Sequence, residues 1–112
     1  MSGRPYFFPD NTVLINMAIL DHVEFLDRFV QKRGRWCVSI EYEWRRSHRA
    51  LDLSSKFDVQ VRNMCGQPIQ PDHGDYVDIQ LLQEQMRAPG DRRIKHLGEA
   101  ETIVLIRRRA EL

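Results

Sequence analysis

Four acidic side chains stand where carboxylates can do chemistry. Asp10 follows Tyr6-Phe7-Phe8, a short strand-favouring run that Pro9 ends, and it precedes an apolar helix. Glu43 follows Trp36-Cys37-Val38-Ser39-Ile40, a second strand-like run. Glu99 and Glu101 open a last helix whose middle, Ile103-Val104-Leu105-Ile106, is apolar on every side. In a parallel sheet the C-terminal ends of neighbouring strands converge on one edge, where α/β folds place ligands. Asp10 and Glu43 would then lie close together. Carboxylates gathered in this way tolerate their repulsion by binding a hard divalent cation, Mg2+ or Mn2+. Each acid also has a structural reading. Asp10 suits a helix N-cap, Glu43 a solvated helix face, and Glu99 and Glu101 the positive end of a helix dipole.

The other chemistry-bearing residues are basic and aromatic. Arg45, Arg46 and Arg49 follow Glu43 on one helix, and Arg92, Arg93 and Lys95 precede Glu99. Such side chains either contact RNA phosphates, giving affinity without sequence reading, or form a solvated charged face. Trp36, Tyr42 and Trp44 either stack on unpaired bases or belong to the core or an interface. No Ser–His–Asp or Cys–His constellation stands out. The histidines are scattered and the two cysteines form no CxxC, which argues against structural zinc and against a disulfide scaffold. Cys37 and Cys65 read as reduced core thiols of a cytoplasmic protein.

The elements that must position these residues follow from periodicity. The chain has 112 residues, 42% hydrophobic and 29% charged, which suits one globular domain. Its net charge of +1 excludes a polybasic arm, so a nucleic acid must meet a local patch or metal ions. Helices are expected from Val13, from Asp21 to Gly34, over Glu41–Leu51, from Asp72 to Met86 and from Leu97 onward. Phe57, Val59 and Val61 alternate with polar residues and suggest a strand or an extended connection. The order βα(α)βα predicts an α/β fold, with helices on the faces of a short parallel sheet. No apolar run is long enough to span a membrane, and none follows the N-terminus as a signal core.

Three segments, in order, resemble the motifs of PIN domains. Phe8-Pro9-Asp10-Asn11-Thr12-Val13-Leu14-Ile15-Asn16 looks like the first: strand, Asp, a hydroxyl residue two positions on, then an apolar helix. Val38-Ser39-Ile40-Glu41-Tyr42-Glu43 is similar to the second, and His96-Leu97-Gly98-Glu99-Ala100-Glu101 to a Gly-Glu-x-Glu variant of the third. The resemblance runs from about Tyr6 to the end and implies one three-layer α/β/α PIN-like domain over residues 1–112. PIN domains usually continue into a further strand carrying a fourth acid. This chain ends at Arg107-Arg108-Arg109-Ala110-Glu111-Leu112, so the domain is expected to be C-terminally incomplete, by truncation or as a natural short form.

The resemblance also implies an activity. PIN domains are Mg2+- or Mn2+-dependent endoribonucleases, and many small bacterial ones are VapC-type toxins held by a cognate antitoxin protein. Carried over, Asp10, Glu43 and Glu101 would be the catalytic, metal-binding carboxylates. Glu99 competes with Glu101 for the third place, because residues two apart on a helix face different ways. Glu101 is favoured by its shared face with Leu97, Val104 and Leu105. Thr12 would hold the Asp10 carboxylate by a hydrogen bond, and Asn16 would orient ligands or fill a buried polar gap. Small PIN proteins commonly form homodimers. The missing fourth acid leaves an alternative, a catalytically incomplete PIN-like module that binds RNA or protein.

Overall fold

Short-range capping chemistry decides where several helices begin. A computed structural model describes residues 6–91 and 96–109, and within them lie α1 (Asn11–Ile19), α2 (Val23–Phe29), α3 (Val38–Ala50), α4 (Ser55–Cys65), α5 (His73–Met86) and α6 (Leu97–Arg109). Asp10 accepts a hydrogen bond from the Val13 amide and caps α1. Ser54 accepts from the Lys56 amide and caps α4. Asp72 and Asp75 exchange side-chain and backbone bonds in a reciprocal capping box at the start of α5.

The fold is helical, which corrects the expected α/β class. Among the described residues there is no strand and no sheet. The expected parallel pairing survives only as two isolated bridges, Phe7 with Gly34 and Cys37 with Ile69. The Phe7 amide donates to the Arg33 carbonyl, the Arg35 amide to the Phe7 carbonyl, and the Ile69 amide to the Trp36 carbonyl. Each segment is too short to propagate a ladder. Pro9 brings no amide and α1 begins at Asn11; α3 begins directly after Cys37; Pro68 precedes Ile69 and again brings no donor. Without a sheet among the described residues there is no central layer for helices to sandwich. The three-layer arrangement is therefore replaced by helix packed on helix.

Three local expectations change for physical reasons. Val38, Ser39 and Ile40 form the first turn of α3 rather than the end of a strand, because Glu101 supplies the cap that Cys37 does not. Phe57, Val59 and Val61 lie in α4. Phe57, Val61, Met64 and Cys65 face the core at helical spacing, while Val59 is exposed. Helix α2 runs only from Val23 to Phe29; Asp21, Gln31 and Lys32 at its flanks take left-handed conformations. Gly34 is not its cap. It lies against α4, where a Cβ would stand 2.9 Å from the Met64 carbonyl oxygen.

Helices α1 and α3, α2 and α4, α3 and α6, and α5 and α6 pack pairwise. The main core joins Leu14, Ala18, Val23, Ile40, Val61 and Leu105 to two tryptophans. Trp36 donates its indole N–H to the Gly66 carbonyl at 2.7 Å, and Trp44 donates to Asp58 Oδ1 at 2.8 Å. Both rings are thus buried with their polar atom satisfied. Ile79, Ala100 and Val104 form a second cluster between α5 and α6. Helix α6 is not apolar-buried all round: Val104 and Leu105 are inside, while Ile103 and Ile106 are about 40% exposed. Cys37 and Cys65 are buried free thiols. No helix among the described residues is long and apolar enough to cross a membrane.

Candidate functional site

The packing of α1 and α6 on α3 brings the predicted acids together. A concavity of about 150 Å3 is lined by Asp10, Asn11, Thr12, Ile40, Glu43, His96, Gly98 and Glu99. Asp10 sits at the start of α1, Glu43 in the second turn of α3, and Glu99 in the first turn of α6. Gly98 sets their separation. A Cβ there would lie 2.7 Å from Glu43 Oε2 and 2.9 Å from Ile40 Cδ1, so the bare backbone admits the Glu43 carboxylate against α6.

Glu43 carries the electrostatic signature of the cluster. Burial pushes its carboxyl above the usual range, and the charges of Glu99, Asp10 and Glu101, in that order, push it further. The three other predicted carboxylates therefore all act on Glu43. Their individual settings differ. Asp10 is exposed, and its Oδ1 accepts from the Val13 amide at 2.9 Å. Glu99 is exposed and lies 3.5 Å from His96 Nδ1. Glu101 is only 3% exposed. Its two oxygens accept from the Ser39 amide at 3.1 Å and the Ser39 hydroxyl at 2.5 Å. That places a carboxylate at the N-terminus of α3, where amides without helical partners and the helix dipole both favour it.

The supporting residues divide. Thr12 lines the concavity but makes no side-chain hydrogen bond to Asp10; the Val13 amide holds that carboxylate. Asn16 is exposed further along α1 and is not part of the lining. Asn11 donates from Nδ2 to Ser47 Oγ at 2.9 Å, tying α1 to α3, and its buried Oδ1 has no partner among the described residues. Sequence reasoning assigned no role to Asn11, Ser39 or Gly98. The Gly98-Glu99-Ala100-Glu101 spacing was the one available signal, and it pointed to the acids rather than to the glycine between the helices.

The donors are carboxylate and amide oxygens, which suit Mg2+ or Mn2+ in kind. As placed, no three His, Cys, Asp or Glu side chains among the described residues converge on one point that could hold an ion. Arg45, Arg46 and Arg49 are exposed on α3, and Arg45 and Arg46 line a hollow together with Glu43. Arg92, Arg93 and Lys95 lie outside the described residues. No protein-family model, curated protein or solved structure matches the chain.

Proposed function

We propose that the chain is a metal-dependent endoribonuclease that hydrolyses RNA phosphodiester bonds, acting as the toxin of a toxin–antitoxin pair. The observation that carries this reading is the gathering of Asp10, Glu43 and Glu99 around one concavity, with the charges of Asp10, Glu99 and Glu101 all bearing on Glu43. Clustered carboxylates without a cation raise each other's proton affinity, and a divalent cation relieves that cost. Asp10, Glu43 and Glu99 line the concavity and would have to draw together before they held an ion, while Glu101 lies outside that lining. Bound Mg2+ or Mn2+ supplies water activation and charge neutralisation at the phosphate. The chain's own residues do the positioning. Glu101 holds the first turn of α3 through Ser39, and Glu43 follows one turn later on the same helix face. Gly98 leaves room for Glu43 between α3 and α6. An antitoxin would silence the site by placing an arginine among the carboxylates.

Asp10→Asn tests the reading cleanly, because Asn also caps helices and the fold is retained. With Mn2+ and unstructured RNA, cleavage should fall by roughly tenfold to a hundredfold, the scale of losing a group that supports a metal site. Equal rates for the two proteins would end the proposal. A second reading, a binding module without catalysis, is favoured by two observations: Ser39 occupies both oxygens of Glu101, and no three acids among the described residues converge. Calorimetric titration with Mn2+ separates the two, since the binding module takes up RNA but no ion.

A further inference from the structure

Outside the carboxylate cluster, one surface combines exposed aromatic and cationic groups. Tyr42, Arg45, Arg46 and Arg49 recur at i, i+3, i+4 and i+7 on α3 and therefore share one helix face. They line a shallow groove of about 540 Å3. Tyr42 is 50% exposed, unlike Trp36 and Trp44, whose rings are locked in the core. The Arg45 and Arg46 guanidinium carbons lie 5.8 Å and 5.7 Å from the Tyr42 ring centroid. Arg45 shares its charge with Glu41 at 3.5 Å. Arg46 and Arg49 have no carboxylate partner among the described residues.

Two further hollows share lining residues with both the groove and the acidic concavity. Arg46 lines the groove and also lines a second hollow with Asn11, Glu43 and Ser47. A third hollow joins Tyr42, Arg45 and Arg46 to Ser39, Glu43 and Leu97. A ligand lying along α3 thus passes from cations and a half-exposed ring, over which Arg45 and Arg46 lie and from which a stacking base would displace them, to the carboxylates. An exposed aromatic between guanidinium groups suits an unpaired base with phosphates on either side. A paired base has no free face to offer, so duplexes are a poor match.

We infer that this face of α3 is a track for single-stranded RNA, with Tyr42 as the base-stacking platform and Arg46 and Arg49 as phosphate contacts. The choice of RNA as ligand rests on the cleavage reading of the neighbouring acids. The test is fluorescence anisotropy with a short, unstructured, labelled RNA in EDTA, where binding is read without cleavage. Tyr42→Ala should weaken binding at least about fivefold, and Tyr42→Phe should keep it, because stacking needs the ring and not the hydroxyl. Arg46→Ala and Arg49→Ala should each weaken binding and flatten the log–log salt dependence by about 0.7. Unchanged affinity in Tyr42→Ala or in both arginine variants overturns the track. So does equal or tighter binding of duplex RNA or of anionic lipid vesicles. A protein that binds RNA through Tyr42 but cleaves none with Mn2+ sinks the cleavage reading alone. A protein that cleaves limiting RNA at full rate after these replacements sinks the track alone.

Discussion

Glu101 is the residue whose removal says most about how the site is built. It is buried, and both oxygens receive hydrogen bonds from Ser39 at the start of α3. Bonds to an ionised acceptor contribute about 1.5–3 kcal/mol each when one partner is deleted. Two such bonds lost in Glu101→Ala would cost about 3–6 kcal/mol, and relief of repulsion with Glu43 offsets part of that. We expect a net loss of about 3 kcal/mol, a large share of the roughly 5–15 kcal/mol that holds a small domain together. Ser39→Ala removes the hydroxyl bond alone and should cost about 1.5 kcal/mol. The double variant should then be more stable than additivity predicts, with a coupling of about 1.5 kcal/mol. Urea unfolding in EDTA measures all four proteins without a metal contribution. If Glu101→Ala lies within about 0.5 kcal/mol of wild type, or the coupling vanishes, Glu101 does not cap α3 and the positioning of Glu43 needs another explanation.

Two further outcomes concern titration. Glu43 keeps its proton to higher pH in the folded chain than in the unfolded one, so metal-free stability should fall as pH rises through its raised range. Glu43→Gln should therefore be more stable than wild type near neutral pH in EDTA, and the gain should vanish in acid; a pH-independent difference in urea midpoints would refute this. Burial pushes the Cys37 and Cys65 thiols up to about 12 from an ordinary 9.0, with Glu101 and Asp27 respectively adding to the shift. Native protein should resist a thiol-labelling disulfide reagent in mildly alkaline buffer, and the stability these thiols contribute should be lost only as pH rises from about 9 towards about 12. Rapid labelling of both thiols without unfolding would contradict the burial.

Helix starts were legible at Asp10 and Asp72, where the cap is local, but the equally local cap at Ser54 went unread and α2 begins at Val23 rather than Asp21. Asp72 and Asp75 announce α5, because a cap and its amides lie within one turn of sequence. The same locality explains why Asp10 serves both as an N-cap and as a lining residue of the concavity: α1 must begin beside it. Strand character was misread for a physical reason. Trp36-Cys37-Val38-Ser39-Ile40 has β-favouring side chains, but propensity is a weak preference, and a carboxylate brought from 62 residues away turns its second half into helix. The alternation at Phe57, Val59 and Val61 was equally compatible with a helix whose buried face continues at Met64 and Cys65.

By itself the sequence determined which residue types could do chemistry, the order of the acids, and the capped helices between them. Only the tertiary structure decided what those acids share. It divided them into an exposed Asp10 and Glu99, a partly buried Glu43, and a Glu101 occupied by Ser39. It also separated Tyr42 from the two buried tryptophans and made Gly98 the point where α6 meets Glu43. These are contacts between helices distant in sequence. Their energies depend on which faces meet, and periodicity within one helix carries no record of the partner.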